Sequence, residues 1–350
     1  MKQLKYLSMI ALALVFGLTS CSNDDEPGQG SGEAQSVYIK LDQPTGSRAA
    51  GPSADGEIVE VSSGYLYFLN ANNGITKSID ISEDISDLTK NGKTYTEIPG
   101  NSSFVVMVGN TDGKIDKNLM SKATNLNDIE AFILSVETQN EIKGVTVYSN
   151  KGVIVKGAES NTAELKLTPV PSRIELKTIK AGGNLDSFKV KGIYMNYTYE
   201  TAPIQGNGVD NQLIEMNTEF SEYVNIPGVL KDTHVDGLSL GSDQVWGYNL
   251  LANDKIPHIV IHITDVTVKP GYEADFSGDQ FVTITGYKEG SKVLEKLAQG
   301  TIYKVSNDID GGDLIIDEGD LTPNPEMKSI SVTVTAKVME WKAVDVTPII

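Results

Sequence analysis

The chemistry open to this sequence rests on few residues. His258 and His262 stand four apart in HIVIH, a spacing that on a helix would turn both imidazoles to one face, as a metal ion requires. The surrounding IPHIVIHITDVTV alternates like a strand, however, and at about 3.3 Å per residue the rings would lie about 13 Å apart, too far for one ion. The expectation is two polar positions on a solvent face, with Ile259, Ile261 and Ile263 inward. His234 stands alone. The acidic run NDIDGGDLIIDEGD at 307–320 invites calcium, but Gly312 falls where the fifth ligand of an EF-hand should be and Gly319 where its bidentate Glu should be. It reads as a turn-rich surface loop. No GxSxG, HExxH or GxxxxGK[ST] string occurs. No catalytic residue, metal or cofactor is therefore expected, and the chain is read as a non-enzyme.

One residue does carry covalent chemistry by position. The N-terminus reads MKQLKYLSMIALALVFGLTSC, with Lys2 and Lys5 ahead of an apolar run from about Leu7 to Leu18. That run is short for a membrane span and ends in small residues, as a signal peptide does. Cys21, the single cysteine, follows Leu18-Thr19-Ser20, which resembles the bacterial lipobox. Residues 1–20 are expected to be a cleaved lipoprotein signal, leaving Cys21 acylated and the chain held at a membrane by more than one buried acyl chain. The following SNDDEPGQGSGEAQS is too poor in apolar groups to pack and reads as a tether.

The elements that must position everything else are strands. Beyond residue 36 the apolar period is mostly two, in short runs rich in Val, Ile, Thr and Tyr separated by Gly, Asn, Asp and Pro. Strands are expected at 36–41, 57–70, 103–110, 144–150, 152–157, 163–169, 172–180, 188–200, 258–268, 280–287, 300–305 and 329–341. Helical spacing is confined to about Asn125–Val136 and, more weakly, Ile81–Lys90. Pro169 and Pro171 interrupt any ladder between two good strands, which suggests a boundary there. The fold class is accordingly all-β with minor helix, organised as two tandem β-sandwich domains over 49–169 and 170–341. With 29 Lys+Arg against 47 Asp+Glu the formal charge is −18, so the surface repels polyphosphate and no nucleic-acid partner is expected.

Two segments at opposite ends answer each other. In SVYIKLDQPTGSRAAG, Val37, Ile39 and Leu41 face one way and Tyr38, Lys40 and Asp42 the other. They are followed by Gly46-Ser47-Arg48-Ala49-Ala50-Gly51, where an arginine among small residues suits a trypsin-like protease. At the C-terminus, Ile330, Val332, Val334, Ala336 and Val338 alternate, and after Trp341 the tail AVDVTPII alternates again, with Val344, Val346, Pro348 and Ile350 in phase. The tail could be the last strand of its own domain. It could also complete a sheet of another subunit: losing the Val37/Ile39/Leu41 strand would open an apolar groove, which a like-patterned strand could fill by β-strand addition. A head-to-tail contact of that kind does not close and makes a filament.

Taken together, the lipobox at Cys21, the segment ending at Arg48, the β-rich body, the LTPVPSRIELKTI stretch at 167–179 and the terminal SISVTVTAKVMEW with its tail resemble the Bacteroidetes fimbrillins, the type V pilins. The resemblance spans nearly the whole chain. It implies transthyretin-like sandwich domains, an outer-membrane lipoprotein precursor and cleavage of the Arg48-Ala49 bond by an Arg-specific protease. It further implies removal of residues 21–48 with the Val37/Ile39/Leu41 strand, and a donor strand at 342–350 (Val344, Val346, Pro348, Ile350). The implied product is a stalk subunit of an extracellular, adhesive fimbrium, whose partners are copies of itself together with anchor and tip subunits. The other reading is a tip or accessory adhesin, or a surface glycan-binding lipoprotein, for which Tyr194, Tyr197 and Tyr199 in IYMNYTYE and Trp246 with Tyr248 in VWGYN could form a sugar-stacking platform.

Overall fold

The computed structural model describes residues 33–42, 53–54, 59–140, 144–158, 160–206, 208, 212–233, 244–252, 254–307 and 313–338. The first half runs β1 (Gln35–Asp42), β2 (Ser53–Ala54), β3 (Gly64–Asn70), β4 (Ile75–Asp80), α1 (Ile85–Lys90), β5 (Lys93–Ile98), β6 (Ser102–Gly109), α2 (Lys117–Lys122) and α3 (Leu126–Glu130). It continues through β7 (Ile133–Ser135), β8 (Val147–Ser149), β9 (Gly152–Val153) and β10 (Asn161–Pro169). The second half opens with β11 (Ser172–Leu176), β12 (Ile179–Ala181), β13 (Leu185–Asn196), β14 (Thr198–Tyr199), β15 (Thr201–Pro203), β16 (Leu213–Ile214) and β17 (Lys231–Asp232). It closes with β18 (Gln244–Leu250), β19 (His258–Val268), β20 (Gln280–Glu289), β21 (Lys292–Val293), β22 (Thr301–Ser306), β23 (Leu314–Ile316) and β24 (Ser329–Val338). The fold is all-β with short helices.

Two large sheets organise these strands. One has the order β4-β3-β6-β8-β10-β1-β5, with β9 on β6; the other runs β17-β13-β19-β20-β24-β22-β11-β18-β2, with β21 on β20. The chain changes sheet between Pro169 and Ser172, where the two prolines stand. Two pairings cross that point: β7 with β15, and β2 with β18. One apolar core, around Val37, Leu66, Phe68, Val105, Met107 and Leu165, lies within the first sheet. The larger one follows the second sheet and also takes in Tyr67, Val106, Met120 and Ile129 from the first half. Tyr67 and Phe68, or Val105 and Val106, are neighbours in sequence yet belong to different cores. Strands β3 and β6 are covered on both faces, which is why their sequences read as near-continuous apolar runs.

The helical expectation over Asn125–Val136 is only half met. Asn125 and Asp128 form a capping box that starts α3, but the helix stops at Glu130 and Ile133–Ser135 becomes β7, with Ile133 opposite Pro203 and Ser135 opposite Thr201. Ladder hydrogen bonds to a distant strand outweigh the local 3.6-residue spacing there. At Ile81–Lys90 the helix is a single turn and a half, α1, burying Ile85 and Leu88.

A buried polar network sits where the sheets meet. Arg173 and Glu175 of β11 are 0% and 2% exposed, and their Nε and Oε1 lie 2.7 Å apart. Arg173 Nη1 also donates to Asn249 Oδ1 (3.2 Å), and Asn249 Nδ2 donates to the carbonyl of Gln139 in the first half (2.7 Å). Gln139 in turn accepts from the Thr146 amide. Opposite Glu175 stands Gly247; a Cβ there would fall 1.8 Å from Arg173 Nη2. The glycine makes room for the guanidinium.

Many of the tyrosines are structural. Burial holds the phenols of Tyr67, Tyr95, Tyr148, Tyr223, Tyr248 and Tyr287 protonated well above their ordinary range. A phenol whose pKa is raised by folding contributes stability that is complete below the unfolded value of about 10 and is lost as pH climbs beyond it. The expected result is a native chain up to about pH 10, then unfolding with late, cooperative phenolate absorbance at 295 nm. Early, independent titration of these six phenols with the fold intact would contradict this.

Candidate functional site

Strand β1 is built by alternation. Val37, Ile39 and Leu41 are 0%, 0% and 2% exposed, whereas Lys40 is exposed and Tyr38 half-buried. Burying three such side chains stabilises by roughly 5–9 kcal/mol in transfer terms. The strand is interior: it runs parallel to β10 (Val37 opposite Asn161, Ile39 opposite Ala163, Leu41 opposite Leu165) and antiparallel to β5 (Val37 opposite Tyr95, Tyr38 opposite Thr94, Ile39 opposite Lys93). The β5 ladder ends at Ile39, so among the described residues the last three of β1 have β10 as their one strand partner. Gln35 fixes the start, donating to the carbonyls of Pro99 and Ser102 at 3.0 Å each and accepting from Asn161 Nδ2. Tyr38 lies over Gly92 and donates to the Asn91 carbonyl.

The wall on the β5 side is unusual. Among the described residues β5 has no strand partner but β1. It is otherwise held by side chains. Lys93 pairs with Asp84, just ahead of α1, and Tyr95 donates to the same carboxylate at 3.0 Å. Lys77 of β4, on the opposite edge of the sheet, donates to the carbonyls of Thr96 (3.2 Å) and Glu97 (3.0 Å). Glu97 has φ +56, beside the register shift between Gln35 and Val37. The first sheet is thus rolled until its two edge strands meet, with Lys77 bridging the seam. Taking β1 away leaves a slot one strand wide, roughly 9.5 Å between the axes of β10 and β5 at ordinary sheet spacing. Its floor is apolar and its walls carry unsatisfied backbone groups.

The other residues singled out in the sequence fall as follows. Cys21, Arg48, Ala49, Val344, Val346, Pro348 and Ile350 lie outside the described residues, as do His234 and residues 308–312 of the acidic run. Leu314–Ile316 of that run is β23, parallel to β12. Asp317 and Asp320 form a capping box, and Glu318 Oε2 accepts the Asn184 amide at 2.7 Å, which lowers its pKa. These acids serve local structure. Among the described residues no group of three or more His, Cys, Asp and Glu is placed to hold a metal ion.

The solvent-face expectation for His258 and His262 needs correction. Both are on β19 with Ile259, Ile261 and Ile263 buried, but the opposite face is covered too. Phe220, in the 3₁₀ segment Phe220–Asn225, packs its ring 4.6 Å from that of His262, and the Tyr197 ring lies 4.1 Å from that of His258. His258 Nδ1 meets Glu326 Oε2 at 2.9 Å and His262 Nε2 meets Asp279 Oδ1 at 2.9 Å. The sugar-platform reading of the aromatics is overturned by burial. Tyr194, Tyr199, Trp246 and Tyr248 are all at most 6% exposed: Tyr194 lies on β13 and Trp246 and Tyr248 on β18, both interior strands, Tyr199 lies on β14 with its hydroxyl on Asp254, and Tyr197 has its face against His258.

Solved structures share this architecture. A fimbrilin from Porphyromonas gingivalis superposes with a TM-score of 0.52 at 14% identity, over 87% of this chain and 98% of that one. The fold is that of the fimbrillins. Two candidate cell adhesion proteins superpose similarly. The one from Parabacteroides distasonis has a TM-score of 0.53 at 13% identity, over 89% of this chain and 98% of its own. The other, from Bacteroides eggerthii, has 0.53 at 16%, over 88% and 97%. No protein-family model and no curated protein matches the sequence. The fold is therefore shared with these structures at 13–16% sequence identity. Among the described residues no helix is long and apolar enough to cross a membrane.

Proposed function

We propose that the chain is a structural stalk subunit of a cell-surface fimbrium, working by replacement of β1. In this reading residues 1–20 direct export and Cys21 is acylated. The precursor sits on the outer membrane, and an Arg-specific protease cuts between Arg48 and Ala49. Residues 21–48 then leave with β1, and residues 342–350 of a neighbouring copy fill the slot. The working subunit keeps two sandwich units, 49–169 and 170–341, and meets copies of itself head to tail, with anchor and tip subunits at the ends. It performs no catalytic step of its own.

The observation that carries the reading is the position of β1. It is an interior strand, buried on its core face, whose pairings are confined to β10 and β5. It is also the first strand among the described residues, so one cut in the segment that follows it detaches it without breaking a connection between any of the other described strands. The fimbrillin fold supports the same conclusion. In cells producing the chain, Arg48→Ala should leave a full-length, membrane-bound protein and no filaments by electron microscopy; filaments of normal number and length in that variant would reject the processing site.

A further inference from the structure

We infer that the incoming tail lies in the slot in a single register, with Val344, Val346 and Pro348 where Val37, Ile39 and Leu41 stand. The inference rests on the strand-replacement reading above. The slot offers three inward positions two residues apart, each closed to solvent, and the tail reads Lys342-Ala343-Val344-Asp345-Val346-Thr347-Pro348-Ile349-Ile350.

In one phase, every placement that spans the slot turns Asp345 inward, stranding a carboxylate among Leu66, Phe68, Val105 and Leu165. In the other phase three placements exist. Lys342/Val344/Val346 puts an ammonium in the place of Val37. Val346/Pro348/Ile350 puts a proline in the place of Ile39, which has a ladder on both sides (Ala163 and Lys93). A proline there meets a strand whichever way its missing N–H would have pointed. Val344/Val346/Pro348 puts the proline in the place of Leu41, beyond the end of the β5 ladder, where one side has no strand among the described residues. That is the one position of the three suited to it.

The same register gives the order of events. Val for Ile39 and Pro for Leu41 fill the slot less completely than β1 does, and β1 is held beside the slot by its own chain at high effective concentration. A tail so matched does not displace β1 from an uncut precursor. It occupies the slot once Arg48 is cut and β1 can diffuse away.

Crosslinking tests the register directly, since the only native cysteine, Cys21, lies ahead of Arg48 and leaves with β1. In this register Asp345 takes the place of Tyr38, opposite the exposed Thr94 of β5. Filaments assembled from processed Thr94→Cys/Asp345→Cys chains should give covalent ladders on denaturing gels after a short thiol-to-thiol crosslinker. The yield should be at least about tenfold above Thr94→Cys/Thr347→Cys or Thr94→Cys/Ala343→Cys chains. A dominant Thr347 or Ala343 ladder would overturn the register, since it reports a slipped or reversed strand. Intact filaments with no ladder from any pair would overturn the donor-strand reading itself. Should the double variants assemble no filaments, a synthetic 342–350 peptide with Cys in place of Asp345, offered to processed Thr94→Cys chain, decides the same point. A covalent adduct stronger than that of the Thr347→Cys peptide supports the register, and its absence rejects it.

Discussion

An Arg173→Ala chain is expected to lose roughly 3–5 kcal/mol of stability. That is the cost of removing one partner from a buried ion pair and leaving the other carboxylate with an uncompensated charge. For units of this size it corresponds to a fall in melting temperature on the order of 10 °C. The effect is large because burial, which disfavours the Arg173 charge and lowers its pKa, is opposed in the native chain by the attraction and hydrogen bond of Glu175. The guanidinium, Asn249 and the Gln139 carbonyl also form one connected path between the two halves. Arg173→Met with Glu175→Leu removes both charges together and should recover most of the loss. Urea unfolding of the three chains decides the matter: a single variant within about 0.5 kcal/mol of the native chain would mean that the pair carries no weight.

Ile39→Asp in the uncut chain should be as severe. Truncating a buried Ile costs about 2–5 kcal/mol, and an unpaired carboxylate at a position with 0% exposure adds several more. The first sheet should then fail to hold β1, and β5, whose one strand partner among the described residues is β1, should open with it. Protease protection of residues 93–98 reads this out. Lys40→Gln, one residue away on the exposed face, should change stability by less than about 0.5 kcal/mol, because register, not composition, decides which side of β1 matters. Equal sensitivity of positions 39 and 40 would contradict the assignment of faces.

The contrast between those two positions also marks what the sequence made legible. β1 could be read residue by residue because a strand with one polar face alternates. β19 was legible in its extent, Val260 included, but not in its surroundings: nothing in HIVIH announces that Phe220 and Tyr197 return from elsewhere in the chain to cover the histidines. The same failure hides Arg173. In SRIEL the period of two assigns Arg173 and Glu175 to water, yet all five residues of β11 are buried, because β11 is interior and both its faces are covered. β4 (ITKSID) and β5 (KTYTEI) escaped notice because edge strands carry polar residues on both sides. The bridge from Lys77 to the Glu97 carbonyl joins residues 20 apart in sequence and opposite edges of one sheet. No local pattern encodes such a closure. The helix expected to reach Val136 was lost to β15, a partner more than 60 residues downstream.

Replacement of β1 by a second copy's tail is tested most directly by deletion of residues 342–350. Chains cut after Arg48, with and without the tail, are compared for SDS-resistant ladders and for filaments by electron microscopy. The complete chain should give both and the shortened chain only monomers, while their melting temperatures before the cut stay the same. Ladders and filaments from the chain without its tail would contradict strand replacement.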